Sequence, residues 1–114
     1  MSLLITSSLE RGWQIITVKG QVDSKTVNEL RDYLEKEFTS AHPLGLELTE
    51  VPFMSSAGLR TLLTLYRQTK SSGVSLALIG LRPEITDTMK VTGFYQYFTV
   101  YEKTDDLPNT AEIP

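Results

Sequence analysis

The chain has 114 residues and a formal charge of −3, a size that predicts one compact domain over residues 1–114 and an acidic balance that argues against duplex nucleic acid, whose binding needs a concentrated basic patch. It contains no cysteine, which excludes disulfides, thiolate catalysis and cysteine-based metal or redox sites. The longest apolar runs, such as VSLALIGL at 74–81, fall far short of the roughly 20 residues of a membrane span, and MSLLI at the start lacks the length and basic flank of a signal peptide, so the expectation is a cytoplasmic domain without membrane insertion.

In chain order, Leu3 to Ser8 predicts a short strand, and Trp13 to Val18, rich in β-branched and aromatic residues, a second one. The break at Glu10, Arg11 and Gly12 is short enough to join them as an antiparallel hairpin. Val27, Leu30, Leu34 and Phe38 then form one apolar stripe of a helix, with Asp23 or Ser24 as the residue that caps it. Ala41-His42-Pro43 breaks that pattern, and Leu44 to Thr49 alternates as a third strand would. Beyond FMSSAGL (53–59), Leu59, Leu62, Leu63 and Tyr66 form a second helical stripe running to about Lys70, where Ser71-Ser72-Gly73 stops it.

Val74 to Ile79 is nearly all apolar, as expected of a strand buried on both faces of a parallel sheet. Pro83 sits in the first turn of a third helix that Gly93 ends, and Phe94 to Val100 predicts a last strand. The acidic, Pro-containing tail from Lys103 to Pro114 is expected to be a partial helix or frayed, a partly ordered tail. The order ββαβαβαβ defines an α/β fold with a mixed sheet of four to five strands and interspersed helices.

Catalysis finds little to work with. The single histidine, His42, lies in a loop that nothing brings near Ser55 or Ser56, and FMSSAGL lacks the flanking glycines of a nucleophile elbow. One histidine and no cysteine leave only carboxylates for metals, and Glu35, Glu37, Asp105 and Asp106 read as solvated charges. No phosphate-cradling glycine loop is present. Phe94, Tyr95, Tyr97, Phe98 and Tyr101 read as core and edge packing, and Arg60 as an exposed helix residue. The chain is therefore expected not to be an enzyme and to need no cofactor, metal or small-molecule substrate.

The serines of FMSSAGL remain. A serine ahead of an amphipathic run is the commonest kind of helix cap. The same place, a strand-to-helix joint at the carboxyl end of a strand, is where partners dock on α/β sheets, and a helix N-terminus favours negative charge. A phosphate there adds a charge of about −1.5 to −2 without entering the core.

On TVKGQVDSKTVNEL (17–30), LELTEVPFMSSAGLRTLL (46–63) and the spacing to VSLALIGLRPEI (74–85), the sequence resembles the STAS family of bacterial anti-sigma factor antagonists over nearly its whole length. Gly20 and Asp23 match the family's G-x-x-D, and Ser56, Gly58 and Leu59 its later [IM]-D-S-[SA]-G-L joint. The resemblance implies a single STAS domain that works by partner switching. Unphosphorylated, it binds an anti-sigma factor that is also a serine kinase; phosphorylated on Ser56, it is released, and a serine phosphatase resets it. Asp23, Ser55, Ser56, Ala57, Gly58 and Leu59 are then the partner-binding residues, with Ser55 a minor second acceptor. Two departures stand out: Ser55 replaces the usual aspartate, and Ala57 makes the motif S-A-G-L, which is similar to STAS subunits that bind the ATPase of lipid-transport complexes. That similarity implies an alternative role, a binding subunit without a phosphorylation cycle.

Overall fold

Arg11 and Gly12 both have positive φ, 56° and 83°, as a two-residue type I′ hairpin turn requires. Around that turn β1 (Leu4–Glu10) and β2 (Trp13–Lys19) pair antiparallel. The first strand continues past Ser8 because Leu9 and Glu10 still pair with Gln14 and Trp13. Most of β1 is exposed while most of β2 is buried, so β1 is an edge and β2 lies inside the sheet. The computed structural model describes residues 2–110.

From β2 onward the sheet is parallel, adding β3 (Leu44–Glu50), β4 (Leu76–Ile79) and β5 (Thr99–Tyr101) in the order β1-β2-β3-β4-β5. The connections carry α1 (Val27–Glu37), α2 (Ser56–Ser71) and α3 (Pro83–Val91). Crossovers between successive parallel neighbours share one hand, which brings all three helices to one face. Val27, Leu30 and Leu34 of α1, Leu59, Leu62 and Leu65 of α2, and Ile85 and Met89 of α3 pack there on Ile16, Val18, Leu44, Leu46, Leu48 and Leu78. In α2 it is Leu65, not Leu63 or Tyr66, that joins Leu62 at the deepest level.

The other face has its own small core of Trp13, Ile15, Ala77, Ile79 and Leu107. With Leu78 on the helix side, β4 is buried on both faces, as its apolar run predicts. The cover on this side is the C-terminal segment. After a 3-10 turn at Thr104–Asp106, Leu107 drops onto the sheet, while the Trp13 indole N–H donates to the Pro108 carbonyl (2.8 Å) and Arg11 Nε to the Leu107 carbonyl (3.0 Å). Gly45 makes room for this: a Cβ there would lie 2.8 Å from Ile15 Cδ1 and 3.7 Å from Leu107 Cδ1. The expected partly ordered tail is thus a strap as far as residue 110; residues 111–114 lie outside the described residues.

The last strand is shorter than the sequence predicts. Gly93 (φ 80°) closes α3, and Phe94 N–H turns back to the Met89 carbonyl at 2.9 Å. Tyr95–Tyr97 then forms a 3-10 turn. Tyr97 and Phe98 pack their rings on Tyr66 of α2, with centroids 5.5 and 5.7 Å away, so the chain extends only from Thr99.

Candidate functional site

At the carboxyl ends of β2 and β3 the chain does not yet separate. Gly20 N–H donates to the Glu50 carbonyl (3.0 Å), Val22 N–H to Phe53 (3.0 Å) and Ser55 N–H to Val22 (2.8 Å), with a parallel bridge between Val22 and Met54. These bonds tie the loop entering α1 to the loop entering α2 as one extra rung of the sheet. Val22 and Met54 are buried beneath it. The first turn of α2 rests on them because residue 58 has no side chain: a Cβ on Gly58 would come within 2.5 Å of Met54 Cγ and 2.9 Å of Val22 Cγ1.

The rung decides what each serine does. Its bond to Val22 holds Ser55 in an extended conformation (φ −74°, ψ 172°), and the Ser55 hydroxyl oxygen accepts the Gly58 N–H at 3.3 Å. Ser55 is therefore the N-cap of α2. Ser56 is the first helical residue, exposed, and its hydroxyl makes no hydrogen bond among the described residues. Ala57 is half-buried beside it. Gly58 and Leu59 face the core instead of solvent, so they seat the helix, and the outward surface of the motif is Ser55, Ser56 and Ala57.

Asp23 stands on the neighbouring loop. Its Oδ1 accepts the N–H groups of Lys25 (2.9 Å) and Thr26 (3.1 Å), and its own N–H donates to Thr26 Oγ1 (3.0 Å). Its carbonyl receives the Val27 N–H at 2.8 Å. This reciprocal Asp23–Thr26 pair closes the turn leading into α1. The N-cap of α1 is Thr26, without a side-chain capping bond, so neither Asp23 nor Ser24 holds the cap position expected from the sequence, and Asp23 instead organises the turn ahead of it. The Gln21 amide donates to Asp23 Oδ2 (2.8 Å); that bond, followed by the Lys25 backbone N–H, holds the carboxyl below its ordinary pKa. The carboxylate is thus ionised and fixed in direction at the rim of the joint.

Other candidates lie elsewhere. His42 precedes β3 while the serines follow it, which leaves about 20 Å of strand between them. Among the described residues no three His, Asp or Glu side chains gather as metal ligands, and no helix is long and apolar enough to cross a membrane. The sequence reading overlooked four neighbours of the joint. Gln21 and Thr26 fix Asp23, and since residue 26 is Thr and not Glu or Gln, the capping-box signature gave no signal of it. Phe53 is 49% exposed beside the serines. Arg31 of α1 lines one open groove with Ala57, Arg60, Thr61 and Thr64 of α2.

A small α/β domain whose organised polar surface is a rigid joint of two helix entries has the build of a protein-docking module. Compared with models of protein families, residues 8–107 match the STAS domain, and the chain belongs to that family. Among curated proteins, an anti-sigma F factor antagonist of Paenibacillus polymyxa is 23% identical over 115 residues, spanning 99% of this chain and 98% of that protein. Osmosensory protein A of Mycobacterium tuberculosis is 26% identical over 65 residues, where 57% of this chain matches 41% of that protein's length. Among solved structures, an anti-sigma factor antagonist from Mycobacterium paratuberculosis aligns with a TM-score of 0.81 at 22% identity, over 91% of this chain and 89% of its own. The phosphorylated form of the Bacillus cell fate determinant SpoIIAA aligns at 0.67 and 16% identity, over 90% of this chain and 95% of its own. At these identities the structures show the shared fold.

Proposed function

We propose that this chain is an anti-sigma factor antagonist that switches partners through Ser56. In its unmodified state it binds an anti-sigma factor that doubles as a serine kinase; phosphate on Ser56 releases it, and a serine phosphatase restores it. The protein is then a cytoplasmic substrate of that cycle and not an enzyme. One observation carries the reading: of two adjacent serines, Ser55 spends its hydroxyl on the cap, while Ser56 stands exposed at the helix entrance with a hydroxyl that makes no hydrogen bond among the described residues. The family membership and the relatives described as antagonists support it.

The physics of release is charge at an interface. Desolvating a phosphate in a surface not prepared for it costs several kcal/mol, and each ~1.4 kcal/mol is tenfold in affinity. The docking surface is Ser55, Ser56, Ala57 and the fixed Asp23, with Gly58 and Leu59 holding the helix in place from below.

The test is a mass-spectrometric map of phosphosites in protein isolated from growing and stressed cells. The tryptic peptide Glu37 to Arg60 contains both serines. Phosphate on Ser56 with an occupancy that changes between states is the expected result. A peptide that is fully covered yet unmodified in every state overturns the switch. It leaves the alternative that Ala57 in S-A-G-L favours, a constitutive binding subunit of a lipid-transport ATPase complex.

A further inference from the structure

Arg60 follows Ser56 by four residues on α2, the spacing at which side chains of a helix are neighbours. Helical side chains lean toward the N-terminus, so the long side chain of Arg60 reaches over the turn that begins with Ser56. Across the groove on α1 stands Arg31, with Ala57, Thr61 and Thr64 completing the lining and no carboxylate among them. Both arginines are exposed. Among the described residues the ion pair is Lys19–Glu50 (3.3 Å), which uses neither arginine. Arg31 gives one Nη1 bond to Asn28 Oδ1 (2.9 Å), leaving most of its five donors available. The first turn of α2 has no acidic residue. In a chain of net charge −3, this groove gathers two arginines without an ion pair among the described residues, and Ser56, which does not line it, adjoins it through its chain neighbour Ala57 and through Arg60 one turn on.

Resting on the reading of Ser56 as a phosphoacceptor, we propose that its phosphate is held within the chain by the guanidinium of Arg60, with Arg31 as the second cation across the α1–α2 groove. Guanidinium forks match phosphate oxygens in geometry as well as charge. The modification then changes the docking surface at two places: it adds an anion at Ser56 and withdraws two cations from any partner that lies over the groove.

The test places phosphoserine at position 56 of the full chain by expanded-code translation, in the wild type and in R60Q and R31Q, and follows the second phosphate ionisation by phosphorus NMR. The helix N-terminus acts on all three alike, so the differences report the arginines. Expected is a second pKa higher in R60Q than in the wild type by about 0.3 unit or more, with a smaller rise in R31Q. Superimposable titrations of wild type and R60Q overturn the proposal. Because the phosphate is installed without a kinase, this failure is distinct from that of the switch: an unmodified peptide in cells removes the cycle and leaves the titration standing.

Discussion

At Ser55 the hydroxyl oxygen accepts the Gly58 N–H across 3.3 Å, a long bond whose loss leaves the N–H of the buried Gly58 without that acceptor. Ser55→Ala is expected to destabilise the fold by about 1 kcal/mol, the usual cost of a lost N-cap, and Ser56→Ala to change it by less than about 0.5 kcal/mol, as at an exposed position without partners. Urea unfolding of both variants beside the wild type measures this; equal losses would mean that the two serines share the cap. Which serine caps was not legible in the sequence, because both are good caps and helix ends shift by a residue on small forces. What decides is the bond from Ser55 N–H to the Val22 carbonyl, a contact between residues 33 apart in number whose pairing no local pattern contains. The replacement of the family's aspartate by Ser55 becomes intelligible at this scale. Serine and aspartate are both suited to an N-cap, and here the cap is an uncharged hydroxyl.

Among the elements, those with a clear local signal were readable: the hairpin from the short break at Glu10, Arg11 and Gly12, of which Glu10 still belongs to β1, the helices from stripes such as Val27, Leu30 and Leu34, and β4 from its continuous apolar run. Phe94 to Val100 misled because aromatic residues signal a strand and also a packed turn. Here Tyr97 and Phe98 satisfy their rings against Tyr66 in α2, a tertiary contact that overrides propensity. The strap was hidden because its one apolar anchor, Leu107, follows acidic residues and precedes a proline. Its signal lay in other elements. Trp13, Ile15, Ala77 and Ile79 point away from the helices and need a cover that no helix supplies. Leu107 is 1% exposed, so Leu107→Ala is expected to cost about 2–5 kcal/mol and to move Trp13 fluorescence to longer wavelength as water reaches the indole. A variant with unchanged unfolding midpoint and emission would show that the segment merely lies on the sheet without stabilising it.

In the whole molecule the two cores lie on opposite faces of the sheet, and the joint is continuous with the helix-side core through Val22, Met54 and Leu59. One core lies between the sheet and three helices and the other under the strap, whereas Ser56 stands outside both at the carboxyl end of the parallel strands. A charge placed there meets the exposed entrance of α2, where the helix dipole favours an anion, and the Ser56 hydroxyl has no hydrogen bond among the described residues for it to break. A phosphate at Ser56 is therefore expected to leave the folded state intact, with stability within about 1 kcal/mol of the unmodified chain. Amide hydrogen exchange should slow only in the first turn of α2 and in the α1 residues facing it. Urea unfolding and exchange on the phosphoserine chain made for the titration above measure both quantities. Loss of protection in β3 or β4, or a drop in stability beyond about 2 kcal/mol, would mean that the phosphate acts by loosening the domain. The preserved fold is the outcome that partner switching requires, since a chain that unfolded on modification would have no intact surface for a phosphatase to restore.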